Sequence, residues 1–391
     1  MNNSNVISDN LWEELEYSQE KSETLALKHR SYSGDVWFRF RHKPASLLGL
    51  FLIFFIILFA VFGPMLSPHS YEKQELSFVN IPPVMNVFIM GSDYIYVTKN
   101  LKPIHVARDG KLIAGLPRIK EDLSKKMTSY DFNGRPVFVD FSVQPLELID
   151  PDGNRVTETT RVHNKTYLLG SDKLGRDLLT RLMIGARISL LVAFIAALTN
   201  LIIGILYGGI SAYAGGNTDN IMMRIVDVVS TIPLTLYVIL IMVILPGDTG
   251  ILSIIIALGS VYWVNMARVV RGQILTLKEQ DYVHGAKIMG TTTWNILTRH
   301  LIPNAMGPII VTVTMLIPSA IFIEAFMSFI GLGVSPPMAS WGTMCNDALE
   351  ALRTNPYQLF APSLAICLTM FGFNFVGDGL RDALDPKLKG R

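Results

Sequence analysis

The chain has 391 residues, of which 50% are hydrophobic and 17% charged, and its formal net charge is +2. This composition is too apolar for an ordinary soluble domain and indicates a membrane protein. The two cysteines, Cys345 in a loop and Cys367 in an apolar run, are expected to be free thiols rather than part of a disulfide framework.

Residues 1–44 are predicted to form an N-terminal segment that ends in a helix at the membrane surface. The first ~35 residues are polar and lack the apolar core and cleavage site of a signal peptide. Trp37, Phe38 and Phe40 then alternate with Arg39 and Arg41 just before the first apolar run. This mixture of aromatic and basic side chains is typical of an interfacial anchor.

Six apolar segments are long enough to cross a membrane, which takes roughly 20 residues of helix. They are Ala45–Leu66, Ile188–Tyr213, Val226–Leu245, Ile251–Val270, Met306–Ile330 and Leu359–Phe375. The fourth is the weakest, because Asn265 and Arg268 stand near its end. The sequence therefore predicts an all-α membrane protein, with one transmembrane helix at 45–66 and five more within 168–376.

Basic residues near the ends of these segments predict the orientation of the chain. Arg39, Arg41 and Lys43 precede the first span. Five basic residues lie at the end of span four and in the loop to span five: Arg268, Arg271, Lys278, Lys287 and Arg299. Four follow the sixth span: Arg381, Lys387, Lys389 and Arg391. Between spans five and six, residues 331–357 contain a single basic residue, Arg353. Both termini, the loop at 271–304 and the tail at 377–391 are therefore expected in the cytoplasm.

Residues 67–167 are predicted to form a small β-rich insert on the outer side of the membrane, between helices 1 and 2. Strand-like runs alternate there with the turn dipeptides Asp109-Gly110, Asn133-Gly134 and Asp152-Gly153. Such dipeptides between alternating runs are a strong hairpin signal. The alternative is a solvated loop with a few hairpins and no function.

The chain lacks the sequence motifs of the common hydrolases. It has no G-x-x-x-x-G-K-[ST] phosphate loop, no G-x-S-x-G, no H-E-x-x-H and no cluster of residues at metal-ligand spacing. We therefore expect a chain that is not an enzyme, that binds no cofactor or metal and that has no nucleic-acid partner.

The polar segment Asp281–Gly290, between spans four and five, is predicted to be a short helix. Asp281 is the expected N-cap, and Gly290 is expected to end the helix in a left-handed conformation. One predicted face carries Tyr282, Val283, Ala286 and Met289, and the opposite face carries His284 and Lys287.

A second helix is predicted to begin in the threonine run after Gly290 and to end near Pro303, which gives an amphipathic hairpin. Gly285 and Ala286 form a small-residue patch that another protein's backbone can approach closely. The alternative is a loop helix that rests on lipid headgroups.

This loop resembles the cytoplasmic loop of bacterial ABC-importer permeases, with the pattern E-A-A-x-x-x-G-x₉-I-x-L-P. His284-Gly285-Ala286, Gly290 and Pro303 keep the spacing, although the Glu and the first Ala are replaced. Leu168–Leu190, Ile323–Met344 and Gly377–Gly390 resemble the C-type permease subunit of oligopeptide and dipeptide importers. The resemblance covers most of residues 168–391 and the first span, but says little about the insert.

The resemblance implies six transmembrane helices of the type I ABC-importer permease fold and a path for peptides across the bacterial cytoplasmic membrane. It also implies a second homologous permease, two ATP-binding subunits that bind ATP and Mg²⁺, and an extracytoplasmic peptide-binding protein. In that family the loop is the coupling helix, which sits in a cleft of the ATPase. The expected ATPase-coupling residues are Asp281, Tyr282, His284, Gly285, Ala286, Lys287, Gly290 and Pro303.

Polar residues inside the spans are candidates for lining the path. Glu324 has Ser328 one turn further on, and an ionisable residue within a span usually faces the bundle interior or a water-filled path. The alternative is a buried carboxyl that is hydrogen-bonded to a neighbouring helix. Asn200, Thr235 and Asn374 are uncharged candidates that would otherwise be interhelical hydrogen-bond partners.

Arg176, Asp177, Arg181 and Arg187 form a charged stripe before the second span. One interpretation is an external helix on the headgroups, with ion pairs such as Asp177–Arg181. We favour the alternative, a structural cover over the gate of the path.

Two other functions remain open at this point. One is a permease for nickel or another metal in the same group of importers. The other is a membrane scaffold or receptor that acts through its external insert.

Overall fold

The computed structural model describes residues 31–122, 124–143, 146–244 and 250–385. Within them, five helices are long and apolar enough to cross a membrane, and a bent helix pair would make a sixth span. The predicted segment at residues 1–30, most of the loop between spans three and four, and Lys387, Lys389 and Arg391 lie outside the described residues.

Two helices open the described chain. In α1 (Tyr32–Arg41), the Ser31 hydroxyl accepts from the amide of Gly34, and Arg39 and Arg41 occupy the last turn, where cations are favourable. Helix α2 (Pro44–Leu66) begins with a proline at its first position, where the missing N–H has no cost. Phe40 of α1 is buried and packs on Gly379 near the far end of the chain.

The insert consists of two antiparallel five-stranded sheets. The first has the order β10-β1-β2-β3-β4 and the second β5-β6-β7-β8-β9, so the second sheet is inserted in sequence between β4 and β10. The strands are β1 (Val84–Met90), β2 (Asp93–Val97), β3 (Pro103–Val106), β4 (Leu112–Gly115), β5 (Arg118–Asp122), β6 (Met127–Phe132), β7 (Arg135–Asp140), β8 (Glu147–Ile149), β9 (Arg155–Val156) and β10 (Thr159–His163).

The three predicted turn dipeptides lie in the hairpins β3–β4, β6–β7 and β8–β9. Gly110, Gly134 and Gly153 all have positive φ, which glycine adopts without steric cost. The two sheets pack on each other, because Ile95 of β2 is fully buried among Tyr130, Val137 and other residues of the second sheet. The predicted β-rich insert is therefore confirmed.

Helix α3 (Leu178–Ala214) has 37 residues and so is roughly 55 Å long, which exceeds the ~30 Å hydrocarbon core. It packs tightly against α7 (Trp263–Leu277). A methyl group added at Gly208 would lie 2.3 Å from the carbonyl oxygen of Ala267. Glycine at this position therefore allows the two helices to approach closely.

The predicted third span, 226–245, is wrong as a single straight helix. Residues 226–231 end α4 (Gly216–Thr231), and α5 (Leu234–Ile244) follows after a bend of 85°. Ile232 is extended, with φ −78° and ψ 123°, because a residue before proline is pushed out of the helical region and Pro233 follows it.

The predicted fourth span continues past its expected end. Helix α6 (Gly250–Val261) and α7 form one candidate span, Ile251–Leu277. Of the two polar residues that made this span weak, Arg268 donates to Asp227 and Ser230 of α4.

The second arm of the predicted hairpin is also wrong. Thr292 is the N-cap of the short helix α9 (Thr293–Asn295), but the helical run does not end at Pro303. It passes through a π turn (Ile296–Leu301) into α10 (Ile302–Met327). Because the proline ring would clash with the carbonyl four residues back in a regular helix, the wider turn before Pro303 lets the chain continue.

The remaining helices close the bundle. After a second π turn (Ser328–Leu332), α11 (Trp341–Leu349) begins at a capping box of Ser340 and Thr343. Helix α12 (Tyr357–Leu384) then packs on α2 and α10.

Candidate functional site

A short helix between two candidate spans, α8 (Asp281–Ile288), is held to the bundle by one narrow apolar face. Val283 and Ala286 are buried in a cluster with Ile274 of α7 and with Ile296 and Leu301 of the π turn. These contacts join α8 to α7 and to the π turn before α10 in one close-packed cluster.

The two ends of α8 differ from each other in how they are capped. The N-cap is Gln280, without a side-chain hydrogen bond, so the predicted N-cap role of Asp281 is wrong. Asp281 instead occupies the first turn, where its negative charge is favourable. At the other end Gly290 has φ +77°, and the amides of Gly290 and Thr291 donate to the carbonyls of Lys287 and Ala286. This Schellman motif confirms the predicted end of the helix.

The exposed side of α8 is more apolar than predicted. Tyr282 and Met289, expected on the same face as Val283 and Ala286, are exposed, and so are Ile288 and Trp294. We call these four residues the loop-helix patch. The actual buried stripe is only two residues wide, because α8 has barely two turns and its last residues overhang the bundle. Several large exposed apolar side chains on one short segment are typical of a site that contacts another protein or a membrane.

The remaining predicted coupling residues surround this patch. His284 and Lys287 are exposed, and the Lys287 ammonium lies 5.9 Å from the centroid of the Tyr213 ring. A methyl group added at Gly285 would meet no atom within 4 Å. Pro303 lies apart from them, inside the long helix that follows.

A groove of about 860 Å³ lies between α7, α10 and the end of α12. Its polar lining is mainly uncharged and comprises Tyr262, Asn265, Gln273, Asn304, Thr312 and Ser319, with Arg381 and Asp385 at the α12 end. Asn304 also connects the groove to α8, because its side-chain amide donates to the Tyr282 hydroxyl at 3.5 Å and to the His300 carbonyl at 2.7 Å.

Of the predicted path residues, the structure places Asn374 beside this groove and the others elsewhere. Asn374 is exposed and lines a smaller cavity that shares Tyr262 and Ser319 with the groove. Thr235 is half-buried in α5. Asn200 is fully buried in α3, and its two side-chain amide atoms have no partner in the described part of the chain.

Glu324 and Ser328 are buried away from the groove. The Glu324 carboxylate accepts from the hydroxyls of Ser189 on α3 and Ser328, both at 2.8 Å. This geometry matches the alternative left open by the sequence, a buried carboxyl that is bonded to a neighbouring helix.

The sequence reasoning missed most of the groove. Asn304, Thr312 and Ser319 follow one another at intervals of eight and seven residues, which places them on one face of a helix. Asn265 and Gln273, eight residues apart on α7, do the same. Only Asn265 was noted from the sequence, as a polar residue near the end of the fourth span, and the helical spacing is the signal that identifies these residues as a set.

The charged stripe before the second span is a buried cluster rather than a helix on headgroups. Asp172 pairs with Arg176 at 2.7 Å and with Arg181 at 2.6 Å, and Asp347 of α11 lies 3.2 Å from Arg181. The predicted pair Asp177–Arg181 is wrong, because Asp177 is the N-cap of α3 and accepts from the amides of Leu179 and Thr180. The local sequence could not reveal Asp347 as the partner, because it is 166 residues away.

Lys173 joins the edge of this cluster. Partial burial alone would lower the pKa of its ammonium group, but a hydrogen bond to Glu350 and the charge of Asp347 raise that pKa above its usual value. The cluster thus fastens the segment before α3 to α11.

Two family models match the chain. Residues 200–390 match the binding-protein-dependent transport system inner membrane component, and residues 31–83 match the N-terminal TM domain of oligopeptide transport permease C. Three curated relatives illustrate the similarity, and two of them match nearly end to end.

The oligopeptide transport system permease protein OppC of Bacillus subtilis is 38% identical over 98% of this chain and 99% of its own length. The dipeptide transport system permease protein DppC of the same organism is 37% identical over 92% of this chain and 87% of its own. OppC of Haemophilus influenzae is 43% identical over 62% of this chain and 77% of its own length.

Among solved structures, a chain of the MetNI methionine ABC transporter in an inward-facing conformation aligns with a TM-score of 0.44. The identity is 17%, over 53% of this chain and 96% of that one. A likeness this slight carries no argument about the fold.

Proposed function

The chain belongs to the family of oligopeptide and dipeptide transport permeases, as its motifs predicted, and from that premise we propose how it works. It is a membrane-spanning permease subunit of a peptide importer of the ABC type. ATP-binding subunits and a substrate-binding protein are its partners by family. The relatives' named substrates favour peptides over nickel or another metal, and a permease identity replaces the scaffold or receptor alternative.

Our proposal for the assembly is more detailed. The five long helices together with the bent pair α4–α5 give six spans of the type I importer fold. Both termini and α8 face the cytoplasm, and the insert faces outward. A second homologous permease and two ATPase subunits complete the membrane unit, with ATP and Mg²⁺ bound by the ATPases and no cofactor on this chain.

We propose that α8 is the point where an ATPase drives the permease. The observation that carries this proposal is the pairing of an exposed apolar patch with a buried two-residue pivot on the same helix. The loop-helix patch offers a docking surface, and Val283 and Ala286 pass its displacement to α7 and α10. These two helices also form walls of the polar groove.

The groove is the proposed translocation path, and its lining supports that role. Uncharged amides and hydroxyls can hydrogen-bond a peptide backbone of any sequence. Closure of the ATPases would shift α8. Asn304 contacts Tyr282 of α8, so this shift would also move the Asn304 side chain in the groove. Such a device is a two-state equilibrium biased by nucleotide. In this proposal Glu324 and Ser328 do not line the path. They stabilise the packing of the helices next to it.

The docking role is tested with Gly285→Leu in the complete importer. The leucine side chain meets nothing within this chain at its first atom, so the variant should fold with an unchanged unfolding temperature. It should nevertheless lower peptide uptake and substrate-stimulated ATP hydrolysis at least ~10-fold, because it intrudes into the partner's groove (a loss of ~1.4 kcal/mol or more in coupling).

Gly272→Leu is the matched control, because Gly272 of α7 also has open space around it. We expect it to leave uptake within about twofold. Normal uptake by Gly285→Leu, or equal losses in both variants, would show that α8 is not the docking helix.

A further inference from the structure

A second groove, of about 530 Å³, lies where α2 and α3 meet the base of the insert. Its walls are apolar and are formed by Phe55, Leu58, Phe59, Phe62, Leu66, Leu179 and Met183. Phe62 and Leu66 are 53% and 83% exposed. The groove therefore opens sideways onto the surroundings of the two helices instead of closing into the core.

The rim of the groove is polar, and its lysine has no salt-bridge partner among the described residues. Lys165 lines it and is exposed, and no carboxylate of the described residues pairs with it. Asp177 also lines the groove, but its oxygens already accept from the amide of Leu179 and from the amide and hydroxyl of Thr180. These hydrogen bonds hold the Asp177 carboxylate at the start of α3, and it forms no salt bridge with Lys165.

A second cation adjoins the apolar wall. Arg187 is one turn along α3 from Met183, and its guanidinium donates to the carbonyls of Ala60 and Val61 at 2.5 and 2.6 Å. Pro64 has no N–H to offer the Ala60 carbonyl four residues back, so Arg187 replaces that helix bond. The Arg187 side chain is still exposed and has no carboxylate partner among the described residues.

The groove lies at a boundary between apolar and polar surface. The apolar run of α2 ends at Leu66, and the polar stretch Ser67 to His69 follows and lines the same cavity. An amphiphile fits this arrangement, with a hydrocarbon chain along the phenylalanine wall and a negative group beside Lys165. Basic residues next to membrane helices attract anionic lipid headgroups in this way.

We propose that this groove binds one phospholipid with an anionic headgroup, with its phosphate at Lys165 and an acyl chain against Phe59, Phe62 and Met183. The inference rests on the proposed membrane placement of α2 and α3, but not on the coupling role of α8. A bound lipid would fill the space between the first two spans and the insert, and so set the angle at which the insert stands on the membrane.

The test uses the complete importer reconstituted into bilayers of equal phosphatidylglycerol and phosphatidylcholine, then extracted into mild detergent. Native mass spectrometry counts the phosphatidylglycerol that remains bound. Lys165→Gln should reduce this retention at least ~5-fold, because the variant removes a cation worth ~1 kcal/mol near a lipid surface. Lys125→Gln, an exposed lysine in the turn between β5 and β6, is the matched control and should retain lipid as the wild type does.

A photo-crosslinking amino acid at Phe62 identifies the occupant directly. A cross-link to phospholipid supports the proposal, and a cross-link to the second permease subunit overturns it. Equal phosphatidylglycerol retention by the wild type and Lys165→Gln also overturns it. Neither readout depends on transport, so a failure here is distinct from a failure of the Gly285→Leu test.

Discussion

Glu324 shows how a carboxyl inside a span can serve the architecture. Its oxygens hold the hydroxyls of Ser189 and Ser328. The Ser189 hydroxyl in turn accepts from the Trp341 amide at 3.4 Å. The Ser328 hydroxyl is 3.2 Å from the Ser340 hydroxyl. The network thus joins α3, α10 and the first turn of α11. A buried polar network that is fully bonded specifies one arrangement of the helices it joins.

Glu324→Gln and Glu324→Ala should separate this role from a role in the path. Glutamine keeps an acceptor for the serines, so we expect nearly unchanged stability, whereas alanine leaves a cavity and unpaired hydroxyls and should cost about 3 kcal/mol. Thermal unfolding in detergent measures both. If Glu324→Gln unfolds normally but abolishes peptide uptake, the charge itself acts in transport and the architectural role is insufficient.

Helix α11 is short and is held to the segment before α3 by ion pairs. It has nine residues, too few to be stable alone, and its Asp347 lies within 3.5 Å of Lys173, Arg176 and Arg181. Arg176 and Arg181 are almost fully buried, and Asp172 is their other carboxylate. Removing one member of such a cluster leaves a buried charge without compensation.

Asp347→Asn should therefore destabilise the protein by about 2 kcal/mol, because two buried guanidinium groups would share one carboxylate. The matched control is Glu350→Gln, on the same stretch of chain, since Glu350 is 74% exposed and pairs only with Lys173 among the described residues. An exposed pair is worth at most about 1 kcal/mol. Denaturant unfolding of both variants measures the difference, and equal effects would refute the buried cluster as the fastening of α11.

The insert is tied to the bundle through the base of its first sheet. The Gln358 amide of α12 donates to Asn80 at 2.8 Å, and the Ile81 amide donates to the Ser171 hydroxyl at 2.8 Å. The second sheet packs on the first around Ile95. We propose that the second sheet provides the surface on which the peptide-binding protein docks. The first sheet supports it rigidly, and its five strands are one continuous insertion between β4 and β10.

Deleting the second sheet tests this division of roles. Residues 118–156 are replaced by about ten glycine and serine residues, since β4 and β10 lie at opposite edges of the first sheet, roughly 19 Å apart. Phe88 and Val97, which the second sheet covers, are changed to serine in both the deletion and a full-length control.

We expect the deletion to keep the unfolding temperature of the helical bundle but to weaken binding-protein affinity and uptake at least ~10-fold relative to that control. Unchanged affinity and uptake would rule out the second sheet as the docking surface.

Apolar runs and the residues that form turns or end helices were enough to locate most of the helices and hairpins from the sequence. Long apolar runs located the five spanning helices, because a membrane span must satisfy its backbone polar groups internally and so is helical. Asn133-Gly134 and the other turn dipeptides located the hairpins, because only residues that tolerate positive φ fit there. Gly290 marked the end of α8 for the same reason.

Contacts between distant residues were beyond the reach of local patterns. Asp347 with Arg181, Glu324 with Ser189, and the burial of only Val283 and Ala286 on α8 all depend on which helices become neighbours. The bend at Pro233 and the continuation through Pro303 show the same dependence, since a proline ends one helix, yet a π turn lets the other continue. The motif pattern alone identified the family. The helix packing determined which polar residues face the groove and which are buried behind it, because a side chain's surroundings depend on its neighbours in space.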